Sequence, residues 1–184
     1  MSVVIPNSEL SQVLQSARYS LFRLELQPVY GEPEEATYVE RFTAGSPVDP
    51  TTTPSTTWYE QVRCWRRAGI RIERVRVHED TPTDYQKWER WVGAWNIDAG
   101  EVMRYLTRSQ AHTIGLLPAA GTTDWWLLDS NRVVTLHFNH EHQRIRTELT
   151  TDPTFVVQAN EWRDLAVHHS HPESLTGIAS RGIK

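Results

Sequence analysis

With a single cysteine, Cys64, in 184 residues, the chain has no internal disulfide available to it. A fold held by packing alone, in a reducing compartment, is the expectation. Long apolar runs are missing too. No stretch approaches the roughly 20 apolar residues a membrane-spanning helix requires, and Met1-Ser2-Val3-Val4-Ile5-Pro6 has no basic stretch leading into an apolar one, as a secretory signal would. Nor is there an excess of positive charge: 19 Lys and Arg stand against 23 Asp and Glu, a net of −4, which argues against a protein that coats nucleic acid. The sequence also lacks G-x-x-x-x-G-K-S/T, G-x-G-x-x-G, G-x-S-x-G and H-E-x-x-H, so phosphate-cradling loops, a serine elbow and a helix-borne zinc pair are unsupported. What remains is a cytoplasmic protein with one core, expected as a single domain over residues 7–172 followed by a mobile tail, 173–184.

The chain does have large apolar pieces to bury: eight tryptophans, six tyrosines and four phenylalanines. Its most orderly stretch runs from Ile70 to Leu106. β-Branched residues and arginines nearly alternate from Ile70 to Val77, the pattern of a half-buried strand. Thr81-Pro82-Thr83-Asp84 supplies a helix cap, with the proline expected at the first helical position. Tyr85, Trp88, Trp91, Val92 and Trp95 follow at helical spacing and read as core or interface. A second strand, Glu101 to Leu106, comes after Gly100.

Elsewhere the spacing predicts a helix from Asn7 with Leu10, Val13, Leu14 and Ala17 inward, a strand from Tyr19 to Leu26, and helices at 34–43 and 58–68. Between those two helices, residues 45–57 hold three prolines and five threonines and read as a surface loop with little to bury. A helical turn at 109–112 precedes strands at 124–128, 132–138 and 143–149 and a final helix capped by Asp152-Pro153. Strands separated by helices favour parallel pairing, and tight turns demand antiparallel pairing. The expected fold is therefore α+β, with one mixed sheet covered by helices.

Candidates for chemistry are scattered. Arg63, Arg66, Arg67, Arg71, Arg74 and Arg76 form a basic cluster suited to phosphate, read more simply as a solvated face. Arg71, Arg74 and Arg76 cannot all share one strand face. His137, His140 and His142 lie about a hairpin turn, where imidazoles need not converge, so neither a metal nor any cofactor is implied. Acids expected near strand ends are Glu89, Glu101, Asp124 and Asp129, the last two with plain structural roles available in a turn and at a strand start. Cys64 beside Trp65 reads as a buried, unreactive thiol.

The pieces Phe22 to Leu26, Ala68 to Val77, Asp84-Tyr85 with Trp88-Glu89, Ala99-Gly100-Glu101 with Arg104, Asp124 to Asp129, Val134 to Phe138 and Asp152-Pro153 recur in this order and spacing in a known family. Over roughly Ser8 to Pro172 the chain resembles an actinobacterial domain of unknown function, number six-eight-seven-nine, from which the long Pro/Thr loop departs. The resemblance implies small cytoplasmic proteins often encoded near helix-turn-helix regulators, with no activity attached. The order of elements is also similar to phospholipase-D-like domains, whose H-x-K signature is absent: His137 is followed by Phe138-Asn139, and His140 by Glu141-His142.

The leading expectation is a non-enzymatic regulatory or interaction module, with a protein partner such as a helix-turn-helix regulator and no membrane. The first alternative is a small-ligand or phosphoester enzyme, with Arg76, Glu101 and Arg104 at the ligand and Asp129 with His137 as acid–base pair. The second is nucleic-acid binding through the arginine cluster.

Overall fold

Alternating apolar residues become strands of one sheet. The computed structural model describes residues 2–174. Its strands are β1 (Ser2–Ile5), β2 (Ser20–Glu25), β3 (Arg71–His78), β4 (Val102–Thr107), β5 (Asp124–Leu128), β6 (Arg132–Phe138) and β7 (Arg144–Thr150). They form a seven-stranded sheet in the order β1-β7-β6-β5-β2-β3-β4. β2, β3 and β4 run parallel, each joined to the next through helices, and every other pair is antiparallel. This is the mixed α+β sheet that the connection lengths require.

Helices α1 (Leu10–Gln15), α2 (Pro33–Thr43), α3 (Ser55–Arg67) and α4 (Asp84–Ala99) cover one face, while α5 (Arg108–Thr113) and α6 (Pro153–His168) cover the other. Beneath α5 and α6 lies an apolar layer of Phe22, Leu24, Val75, Val77, Trp125 and Leu127. On the opposite face Leu21, Ile72, Trp126, Leu128 and Val134 meet Tyr59, Val62 and Trp65 of α3. That second layer stops halfway along β2 and β3, where the side chains turn polar.

Several local expectations change. Residues 2–5, ahead of the expected domain start, pair with β7 from Ser2↔Thr150 to Ile5↔Thr147. The Pro/Thr segment is not all loop: Asp49 accepts from the Thr51 amide at 2.9 Å to start a turn of 3-10 helix whose Pro50 is buried, and α3 already begins at Ser55. Thr83, rather than the residue before a first-turn proline, caps α4 in a reciprocal box with Gln86, so Pro82 precedes the cap. Cys64 is exposed. At about 100° per residue it lies about 200° around α3 from buried Val62, facing away from the core. Of the expected tail, Glu173 donates its amide to Met103 O at 2.8 Å and pairs with Arg90; residues 175–184 lie outside the described residues.

Candidate ligand-binding site

Because β2 and β3 are clad by helices on both faces, their alternate polar residues have no water to face and must find partners inside. Register puts Arg23 beside Arg74 and Glu25 beside Arg76. Glu25 Oε1 lies 3.0 Å from Arg23 Nε and 2.7 Å from Arg74 Nη1, and Oε2 accepts from Arg76 Nε. Each arginine then reaches a second acid. Arg23 Nη2 is 3.2 Å from Asp124 Oδ2, Arg74 Nε 2.7 Å from Glu101 Oε1, and Arg76 Nη2 3.2 Å from Glu89 Oε1. Glu101 also accepts from Asn96 Nδ2 at 2.6 Å and Trp58 Nε1 at 3.2 Å. His78 Nε2 lies 3.5 Å from Glu89 Oε2.

Helix α4 is shaped to this layer. Against the polar layer it sets Gln86, Glu89, Gly93 and Asn96, all buried, while Tyr85 and Trp88 are buried as expected. Gly93 is required by close approach, since a Cβ there would stand 2.8 Å from Tyr105 Oη. Trp91 meets Trp95 edge to face and lies against Phe42 of α2, and Trp95 packs on the core beneath α3.

The network sets its own electrostatics. Burial alone would raise the Glu25 carboxyl, but Arg23, Arg74 and Arg76 outweigh it and hold the group far below the usual range. Burial works against the Arg23 charge, and Glu25, Tyr30 and Asp124 more than offset it. Asp124 moves up because burial exceeds the help from Arg23. Four carboxylates thus face three guanidiniums, an assembly close to self-compensated.

Above it opens a cavity of about 280 Å³, and the charges at its rim are not matched. Arg144, at the start of β7, is half-buried with its Nε in contact with no hydrogen-bonding partner among the described residues. Burial and the neighbouring Arg23 charge pull its pKa down, and Glu32 offsets them only in part. Across the opening, Glu35 of α2 accepts a hydrogen bond from Tyr85 Oη. Burial lifts its carboxyl to about 7 against that bond, with Glu89 and Glu32 adding to the rise. Tyr30 stands between, its ring 5.9 Å from Tyr85 and 5.5 Å from Phe138, with its hydroxyl on Asp124. Gly31 lets this loop lie against the β6–β7 turn, its amide bonding His142 O at 2.9 Å; a Cβ would come within 2.6 Å of Glu141 O.

Of the residues named from sequence, Arg76 and Glu101 belong to this network. Arg104 does not: it lies on the other face, bonded to Glu73 Oε1 at 2.7 Å and Ser170 O at 2.6 Å. Asp129 sits at the opposite end of β2. There it accepts from the amides of Arg18, Tyr19 and Ser20 at 2.8–3.1 Å, and these bonds hold its pKa down against burial. His137 pairs with Glu148 at 2.9 Å on the β6–β7 strands, a hairpin's length from Asp129. The structure therefore separates the Asp129–His137 pair and leaves Arg104 outside the cavity. The arginine cluster divides likewise, with Arg66, Arg67 and Arg71 exposed and Arg74 and Arg76 buried in ion pairs. Among the described residues no cluster of three or more His, Cys, Asp or Glu is placed to hold a metal ion.

Sequence reasoning passed over Arg23, Glu25, His78 and Arg144, gave Glu35 no part in the site, and named Arg74 only within the basic cluster. The available signal was Arg23-x-Glu25 and Arg74-x-Arg76-x-His78 in strands expected to be covered on both sides. Polar residues at alternate positions of such strands must pair with one another.

The chain belongs to the DUF6879 family, a domain of unknown function, whose family model matches residues 8–174. No curated protein matches it. Among solved structures it is similar to a phospholipase D family member, Nuc from Salmonella typhimurium, at 10% identity and TM-score 0.53, covering 94% of this chain and 99% of that one. NucT from Helicobacter pylori is similar at 11% identity and TM-score 0.52, covering 94% and 98%. At such identity the likeness is one of fold. No helix among the described residues is long and apolar enough to cross a membrane.

Proposed function

We propose that this DUF6879 domain is a non-enzymatic regulatory module that binds a small ligand bearing an anionic group in the cavity between β2, β3, α2 and α4. One observation carries the reading. The Arg144 guanidinium is partly desolvated beside Arg23 and makes no ion pair among the described residues, Glu32 acting on it only from a distance, although every arginine deeper in the site pairs with two acids. An unpaired buried cation costs stability, and a bound anion relieves that cost. The carboxylates of the floor are all committed to arginine, so none is free to move a proton in a reaction. A ligand seated against α2 and the 27–32 loop would report to the surface through them, where a protein partner, for instance a DNA-binding regulator, can read it.

Thermal-shift measurements with carboxylates, phosphate monoesters and amino acids test this. At least one class is expected to raise the melting temperature of the native chain and not that of Arg144→Ala. Equal shifts in both proteins, or none in either, would remove the reading.

Glu35 supports a second reading. A carboxyl near neutrality in a cavity is the type of group that serves as general acid or base, and one of the similar solved structures is a phospholipase D family member. Turnover of a phosphodiester that is lost in Glu35→Gln would establish it. Nucleic-acid binding through the exposed arginines ranks last, and a gel shift absent at low salt would dispose of it.

A further inference from the structure

The cavity rim has two poles, and each lacks what the other could not supply. At one end Arg144 and Arg23 present guanidinium charge, with the Arg144 Nε unpartnered. At the other, Glu35 touches only the Tyr85 hydroxyl, and Glu32 lies beside it. The poles form no ion pair with each other among the described residues, and Glu32 offsets the Arg144 charge only in part; the Tyr30 ring packs against Tyr85 on the acidic side and against Phe138 and Arg23 on the basic side. Arg23 itself sits 5.8 Å from the Tyr30 centroid.

Taking the ligand-binding reading of this cavity as its basis, we infer that the ligand is a small dipolar molecule. Its carboxylate or phosphate seats on Arg144, and an ammonium group several bonds away seats on Glu35. The inference follows from exclusion as much as attraction. A bare polyanion would enter past Glu32 and Glu35 and meet like charge with no compensating donor beyond the arginines. A bare cation would meet Arg23 and Arg144. A molecule with both charges close together, as in a simple α-amino acid backbone, cannot reach past an aromatic ring to satisfy both ends. A chain of a few methylenes can, and the Tyr30, Tyr85 and Phe138 rings give that chain an apolar bed. The cavity of about 280 Å³ has room for a molecule of this size.

Binding then moves a proton. An ammonium placed on Glu35 favours its carboxylate, so the protonated fraction present near pH 7 gives its proton to the buffer. The other groups facing Glu35 are Tyr85 and Glu89 of α4, Arg76 of β3 and Glu32 of its own approach. Of these, Tyr85 is held well above its usual pKa by burial, so Glu35 is the group that releases the proton.

The test uses the full chain and three matched series: γ-aminobutyrate, δ-aminovalerate and ε-aminocaproate; butyrate, valerate and caproate; and the corresponding alkylamines. Titration calorimetry is run in two buffers of different ionisation enthalpy. One length of the amino acid series is expected to bind about tenfold or more tighter than its acid and its amine, the effect of one charge-assisted contact, with proton release near pH 7. Glu35→Gln should remove that advantage and the proton release and, by removing a like charge, bind the acid at least as tightly as the native chain, whereas Arg144→Ala should weaken amino acid and acid alike; unliganded melting temperatures report whether each variant is folded. If the acids bind through Arg144 as tightly as the amino acids, the dipolar assignment is wrong and the anion site stands. If nothing in any series binds in an Arg144-dependent way, the dipolar assignment falls; if in addition no phosphate monoester does, the ligand-binding reading falls with it.

Discussion

Arg74 in the middle of β3 and Glu101, the residue before β4, meet at 2.7 Å with both side chains buried, and this contact locks the polar half of the sheet to the end of α4. Glu101 holds Asn96 and Trp58 through its other oxygen. Its acceptors therefore serve three elements at once: β3, α4 and α3.

Glu101→Ala leaves a guanidinium, an amide and an indole N–H without their acceptor in the interior. Breaking one side of a buried pair costs about 3–5 kcal/mol. Urea denaturation should show a loss of that order, and Glu101→Gln, which keeps the hydrogen-bonding shape, a smaller one. A loss below about 1 kcal/mol, as for an exposed pair, would mean that the network is solvated.

Asp129 should prove structural. Its carboxylate binds the Arg18, Tyr19 and Ser20 amides that open β2, from a turn in which Asp129 and Ser130 both have positive φ (51° and 57°). Asp129→Ala is expected to cost about 2 kcal/mol through orphaned donors and to leave ligand affinity unchanged, because the cavity lies at the other end of β2. Loss of binding in the folded variant would contradict this separation.

Glu35 gives stability a pH dependence of unusual sign. Its folded pKa of about 7 exceeds the ordinary 4.5, so between those values the folded chain holds a proton the unfolded chain has released. Stability should therefore fall as pH rises through that window, by about 2–3 kcal/mol. Glu25 acts oppositely: its depressed pKa adds stability above 4.5 that is lost on acidification. Denaturation midpoints of native protein and Glu35→Gln from pH 5 to 8, roughly the window of interest, should diverge steadily, with the variant gaining. Parallel curves would show that Glu35 is not desolvated.

Gly93→Ala separates helix propensity from packing. In an open helix the change stabilises by about 0.5–1 kcal/mol. Here the new methyl would press on Tyr105 Oη at 2.8 Å, and overpacking of this kind costs about 1–3 kcal/mol. Thermal unfolding should show net destabilisation; a higher melting temperature would mean that Tyr105 swings aside freely.

How much of this was written in the linear chain depends on the range of the forces. Strands such as Ile70 to Val77, the α4 helix and the helix capped at Asp152 are set by neighbours within a few residues, so period and capping chemistry reveal them, although the cap of α4 itself fell two residues later than expected. Strand β1 escaped because four residues carry too little pattern without their β7 partner. The candidate site was legible only as fragments. Arg76 and Glu101 were singled out, but Asp129, His137 and Arg104 were grouped with them because all lie near strand ends, and nothing local says which end or which face.

The amino-acid order by itself determined the mixed α+β sheet, the turns that reverse it and the lineage. Register between β2 and β3, and the depth to which α4 settles onto them through Gly93, were decided only by the tertiary structure. Those two choices bring Glu25 among three arginines and leave Arg144 unmatched. Coulombic partnership and desolvation act through space between residues far apart in the chain, so the site exists only once the sheet has closed.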